Sequence, residues 1–227
     1  MRPYARQNRR PGLSGLTWLL GLGCMVLTAP SWGARLAVSV VAPDGRPLPG
    51  IVVTAYPTTT VPSHPAPPVA AVMDQVNRAF EPDLLVIPVS STVTFANNDT
   101  VSHQIYSFSP AKRFQLPLYR GKPYPPTLFD QAGLVTLGCN IHDEMLAYVL
   151  VTDAPYFGRT AADGSWSMDV PEGPYRISLW HPRIRDEDKQ LQGEVKVAEP
   201  EGKLTLRLKK PLKPAPLEGK PHSWDRY

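Results

Sequence analysis

The chain has 227 residues, room for one domain or two small ones. Its formal charge is +4, but Arg2, Arg6, Arg9 and Arg10 all precede residue 34, so the remainder is close to neutral and gives no case for nucleic-acid binding. Of two cysteines, Cys24 lies in that same start, which leaves Cys139 without an internal disulfide partner.

Residues 1–33 read as a secretory signal peptide. Four arginines lead, an apolar run follows from Leu13 to Ala29, and Ser31 and Gly33 stand at −3 and −1 of a cut before Ala34. The run is short and broken by Gly21 and Gly23, which argues against a membrane span. The mature protein is therefore expected in the periplasm with no span. Arg9-Arg10 hints at twin-arginine export, and no lipobox precedes Cys24. A lone thiol in an oxidising compartment needs burial or a metal to escape oxidation.

Beyond residue 33 helical periodicity is nearly absent. Runs rich in Val, Ile, Leu, Thr and Tyr alternate with Pro, Gly, Asn and Asp, the pattern of an all-β protein. In chain order, strands are predicted over 36–42, 50–56, 84–89, 91–97, 102–108, 133–139, 146–152, 165–170, 175–180, 193–198 and 203–209. Asp44-Gly45 and Asp163-Gly164 mark turns. The stretch 57–71 is proline-rich and reads as a linker. Residues 211–227 read as a flexible basic tail, where proline forbids a regular ladder. The aromatic residues Phe95, Tyr106, Phe108, Phe114 and Tyr148 are assigned to a core, and Trp180 and His181 to a second sandwich.

"LGCNIHDEML" (137–146) concentrates the chemistry. Cys139 ends one predicted strand and Leu146 begins the next, with His142 and Met145 on the loop between them. A fourth donor must come from elsewhere, and His103 is best placed, opening a strand after the turn "NNDTV". His64 lies in the proline-rich stretch, His222 in the tail and His181 in the other half of the chain. Cysteine, two histidines and methionine form the donor set of a blue-copper site, because thiolate and thioether suit Cu(I) and imidazole suits both oxidation states. Zinc rarely takes a thioether. A thiol hydrolase, with Cys139 as nucleophile and His142 as base, would leave Met145 and His103 without a role.

"FANNDTVSHQIYSF" and "GLVTLGCNIHDEMLAYVLV" resemble the cupredoxins, and the C-x2-H-x2-M spacing resembles the short ligand loop of amicyanin. "VSVVAPDGRPLPGIVVTAYP" and "TAADGSWSMDVPEGPYRISLWHP" resemble the two halves of a carboxypeptidase-regulatory-like, transthyretin-like β-sandwich. Exported methylamine-utilisation-type proteins join the two, and "KRFQLPLYRG" is similar to that group. The resemblance implies a Greek-key cupredoxin sandwich at 72–152, inserted in or packed beside a discontinuous sandwich of 34–60 and 153–210. It implies one type 1 copper, with His103, Cys139 and His142 equatorial and Met145 axial. It also implies a one-electron carrier with a redox partner protein rather than an enzyme; a copper-holding or delivery protein would use the same site. Two departures stand out. Gln104 occupies the place of an asparagine that ties the ligand loops together, and Asn140-Ile141 and Asp143-Glu144 flank His142 where a proline is common. The acidic pair and apolar Ile141 and Leu146 are expected to form a docking face for a basic partner.

Overall fold

A computed structural model describes residues 34–60, 65–186 and 191–214. The expected export signal, His64, His222 and the last part of the basic tail lie outside the described residues. The chain opens with β1 (Ala34–Val41), β2 (Val52–Pro57), β3 (Ala70–Val76), β4 (Ala79–Glu81), β5 (Leu84–Pro88) and β6 (Ser91–Phe95). It continues through β7 (His103–Ser109), β8 (Lys112–Tyr119), β9 (Thr127–Phe129), β10 (Gly133–Gly138) and β11 (Leu146–Thr152). It closes with β12 (Tyr156–Arg159), β13 (Ser165–Val170), β14 (Gly173–Trp180), β15 (Gln192–Val197) and β16 (Glu201–Arg207). The fold is all-β, with no α-helix among the described residues and none long and apolar enough to cross a membrane.

Two apolar cores organise these strands. The first draws on both ends of the chain: Leu36, Val38 and Val40 of β1 and Val53 and Ala55 of β2 pack with Trp166, Tyr175, Ile177 and Val197. Around it lie a three-stranded sheet ordered β13-β1-β16 and a four-stranded sheet ordered β12-β2-β14-β15. The two Asp-Gly turns meet here. Asp44 Oδ1 accepts the Arg46 amide at 3.1 Å, Asp163 Oδ1 accepts the Ser165 amide at 2.9 Å, and Val40 donates to the Gly164 carbonyl at 2.9 Å. Gly164 has φ +73°, and a Cβ there would sit 2.7 Å from the Val40 carbonyl oxygen, so only glycine fits.

The second core lies wholly between residues 71 and 151. Met73, Phe95, Ile105, Phe129, Val135, Leu137, Ala147 and Val149 fill it, between a five-stranded sheet ordered β5-β11-β10-β7-β8 and a four-stranded sheet ordered β4-β3-β6-β9. Strands β7, β10 and β11 alternate buried and less buried residues, which is what puts one face on the core. Both cores belong to one compact unit, and several contacts join them. Only Asp153, Ala154 and Pro155 separate β11 from β12. The Tyr148 ring meets Trp180 edge-on at 5.8 Å between centroids, and Arg159 Nη1 donates to the Leu84 carbonyl at 3.4 Å.

Several sequence expectations shift. The end of the proline-rich stretch enters β3, and "KRFQLPLY", outside every predicted strand, forms β8. β8 is the outer strand of its sheet, and its pairing with β7 slips between His103 and Ile105, where Pro117 and Leu118 face Gln104. Phe108 leaves the core it was assigned to and stands 76% exposed, because outward positions alternate through Gln104, Tyr106 and Phe108. Trp180 and His181 are partly buried at the end of β14, and His181 Nδ1 accepts the Arg183 amide at 3.1 Å.

Separate cores make a definite expectation. Residues 65–155 expressed alone should give a β-type circular dichroism spectrum and one cooperative denaturant transition. A random-coil spectrum would show that the second core cannot form without the first.

Candidate metal centre

Period-two alternation delivers two of the four sequence-derived residues to one place. Inward positions run Val135, Leu137, Cys139 along β10 and Ile105, His103 back along β7. Gly138 pairs with Tyr106 across these antiparallel strands, so Cys139 and His103 arrive at the same end of the sheet on its core face. The loop between β10 and β11 then turns back, its Met145 amide donating to the His142 carbonyl at 3.0 Å, and brings His142 over the pair.

His103 is fully buried, Cys139 is 3% exposed and His142 is half-buried. His103 Nδ1 lies 3.8 Å from Cys139 Sγ and 3.1 Å from His142 Nδ1, and His142 Nδ1 lies 4.0 Å from Cys139 Sγ. A circle through the corners of a triangle with those sides has a radius of about 2.1 Å, the length of a metal–imidazole bond and slightly under a zinc–thiolate one. One ion can therefore touch all three donors with little movement. Met145 is buried in the same core cluster as Cys139, three residues beyond His142. Burial, then the neighbouring His103 and Arg78, lower the pKa of His142, which favours the neutral ring that a metal requires.

Sequence reasoning did not single out Asp99. Its Oδ2 lies 2.9 Å from His103 Nε2, and its side chain is almost as buried as the imidazole. Burial opposes ionisation of this carboxyl, but hydrogen bonds from the Arg78 amide, His103 and the Thr100 amide outweigh it and hold its pKa well below the usual range. An ionised carboxylate only accepts, so Nε2 carries the proton and Nδ1 presents its lone pair toward Cys139 and His142. A carboxylate behind a ligand histidine fixes tautomer and orientation in this way. The signal in the sequence was an acid four residues ahead of the candidate ligand, on a tight polar turn. Asn97 shapes that turn: its amide nitrogen donates to the Tyr119 and Val101 carbonyls at 2.8 and 3.2 Å, and its Oδ1 accepts the Asp99 amide at 3.0 Å.

Gln104 also finds a partner. The register places Asn140 opposite it, and Asn140 Nδ2 donates to Gln104 Oε1 at 2.9 Å, which joins the strands that position Cys139 and His103 by a side-chain pair. Behind it, Tyr106 lies over Gly138, where a Cβ would come within 2.7 Å of the tyrosine oxygen.

No family profile matches the sequence, and no curated protein is similar to it at a significant level. Among solved structures, the chain is similar to a purple cupredoxin from Nitrosopumilus maritimus, at 26% identity over 36% of this chain and 99% of that one, with a TM-score of 0.33. It is similar to a copper-containing nitrite reductase from Thermus scotoductus at 25% identity over 43% of this chain, with a TM-score of 0.35, and spans 25% of that chain. A reduced amicyanin variant is 21% identical over 44% of this chain and 99% of its own, with a TM-score of 0.34.

Removing the Asp99 carboxylate tests the assigned geometry. Asp99→Ala should weaken metal affinity about 10- to 100-fold, read by Cu(II) titration against a competing chelator. Unchanged affinity would mean that the carboxylate does not set the ring.

Proposed function

We propose that this protein is an exported one-electron carrier with a single type 1 copper held by His103, Cys139, His142 and Met145. The observation that carries the reading is the buried triangle of one thiol and two imidazole nitrogens, with sides suited to one ion. It is the only such cluster of His, Cys, Asp and Glu among the described residues. Copper, when bound, supplies exchange of one electron between its two oxidation states. The rest is the work of the chain. Cys139 gives up its proton to serve as thiolate, in a pocket that keeps solvent and oxidants from the sulfur. His103, oriented by Asp99, supplies a fixed imidazole from within the core. His142 supplies the second imidazole from the loop and is the most exposed of the three donors, so its ring offers the short path to a docked partner. Met145, buried in the same core cluster as Cys139, would supply a soft thioether donor. Two donors embedded in the sheet favour retention of copper over its delivery elsewhere.

The domain plan belongs to the same proposal. The second core is the copper domain, and the sandwich built from both chain ends is the frame into which it is inserted. Export to the periplasm rests on the basic and apolar pattern of residues 1–33.

The ligand loop sets the terms for docking. Ile141 and Leu146 are 52% and 46% exposed, and Asp143 and Glu144 lie exposed between them. An apolar centre with an acidic edge suits a redox partner with a basic docking face, through a small transient contact.

Copper(II)-loaded protein should show the intense thiolate-to-copper absorption of a blue site. Cys139→Ser should abolish that band, and Met145→Leu should retain copper with a shifted potential by voltammetry. A colourless wild-type complex would reject type 1 copper. For docking, Asp143→Asn with Glu144→Gln should slow electron transfer to a basic partner at low salt. The difference should shrink toward physiological strength, where the Debye length is about 8 Å. Equal stopped-flow rates at every salt concentration would remove the acidic pair from docking.

A further inference from the structure

The Asp99 carboxylate is held from a direction that the ligand loop does not supply. The β3–β4 hairpin turns through Asn77 and Arg78, at φ 51° and 59°. Two left-handed residues in succession are the mark of the tight two-residue hairpin turn, and they are uncommon for residues other than glycine. The turn aims the Arg78 amide at Asp99 Oδ2, 2.7 Å away, the same oxygen that faces His103 Nε2.

Asp74, on β3 of the same hairpin, makes the second attachment. Its Oδ1 accepts the Asn98 amide at 3.1 Å and the Gln75 amide at 2.7 Å, and its Oδ2 accepts Asn98 Nδ2 at 2.6 Å. Asn98 immediately precedes Asp99 in the turn that carries the carboxylate to the histidine. Thus Asp74 holds the backbone just before Asp99, while Arg78 holds the carboxylate itself. Charge-assisted hydrogen bonds of this kind are shorter and stronger than neutral ones.

The geometry points to Asp74 as a positioning residue of the metal centre: through Asn98 and Asp99 it fixes the tautomer and orientation of His103. Asp74 touches no ligand itself. The β3–β4 hairpin thereby becomes part of the centre, although it contributes no donor. As to copper, the inference rests on the reading of the site given above; as to the ring of His103, it stands on the hydrogen bonds alone.

The test uses the full chain with Asp74→Ala, Asp74→Asn and, as a matched control, Asp163→Ala. Asp163 makes a comparable turn in the other sandwich, accepting the Ser165 amide and hydroxyl at 2.9 and 2.6 Å. Two readouts are taken. In metal-free protein, imidazole nitrogen NMR should find His103 as one tautomer, protonated at Nε2, in wild type and in Asp163→Ala, and as a mixture in Asp74→Ala. In Cu(II)-loaded protein, release to excess chelator should be about ten-fold faster for Asp74→Ala and unchanged for Asp163→Ala. Asp74→Asn keeps one acceptor oxygen but turns an amide toward Asn98 Nδ2, so it should fall between wild type and Asp74→Ala. Should Asp74→Ala fail to fold, Asp74→Asn and Asn98→Ala carry the comparison. A single His103 tautomer with wild-type copper release in the folded Asp74 variants overturns the role of Asp74. A Cys139→Ser protein that binds Cu(II) as wild type does overturns the copper reading instead, and the tautomer result then still decides what Asp74 does.

Discussion

A buried imidazole has two nitrogens to satisfy away from bulk solvent. At His103 this constraint organises the whole end of the sheet. Nε2 is satisfied by Asp99 at 2.9 Å, which leaves a lone pair on Nδ1 aimed at a second imidazole nitrogen only 3.1 Å away. Two lone pairs cannot face each other at that distance without repulsion. Either His142 donates a proton across the gap or a cation is shared between the rings. The thiol of Cys139 closes the third side, so the arrangement is complete as a soft, three-donor cradle before any ion enters. Burying such groups is costly unless each is paired, and every one of these has a neighbour that can pair with it.

The scaffold makes this arrangement stiff. Two donors lie at adjacent antiparallel strands, where register fixes their separation, and the third hangs on the seven-residue turn between β10 and β11 that is tied back by the Met145 amide. Pairing of Asn140 with Gln104 joins the strands that position Cys139 and His103. Small changes to that end of the sheet meet glycine, as at Gly138 under Tyr106, where even one methyl group would displace a ring. The other sandwich adds a brace rather than a ligand: its Arg159 reaches the backbone of β5, and its Trp180 meets the Tyr148 ring of β11.

Strong alternation made most of the fold legible. β1, β10, β11 and β14 each carry apolar residues at every second position, and the Asp-Gly turns announce themselves. The strands that escaped did so for physical reasons. β8 contains Pro117 and opens on the adjacent charges Lys112 and Arg113, which reads as a loop until the outer position of the strand is known. β3 buries Gln75, a polar residue where the pattern asks for an apolar one; its Nε2 is satisfied by the Ala96 carbonyl and the Tyr119 hydroxyl at 2.7 Å each. β4 and β9 have three residues each, too few to show a period, and β12 contains Gly158, which admits the Trp166 ring. At the site, donor types and spacing were legible because Cys139, His142 and Met145 are close in sequence. Asp99, Asp74 and Arg78 were not, because their roles depend on a hairpin that the sequence did not announce.

The slipped register in β8 bears on how the molecule keeps to itself. Sheet edges offer unpaired amides and carbonyls to any other chain, and an edge one strand away from the buried histidine would be a poor place for such pairing. Here Pro117 has no amide proton to offer, the slip bends the strand, and Lys112 and Arg113 place cationic side chains at its start. A neighbouring molecule seeking to extend the sheet meets a missing donor, a kink and like charge in succession. The device costs the five-stranded sheet little, since it sits at a rim. Each of these features works against the addition of another chain along this edge.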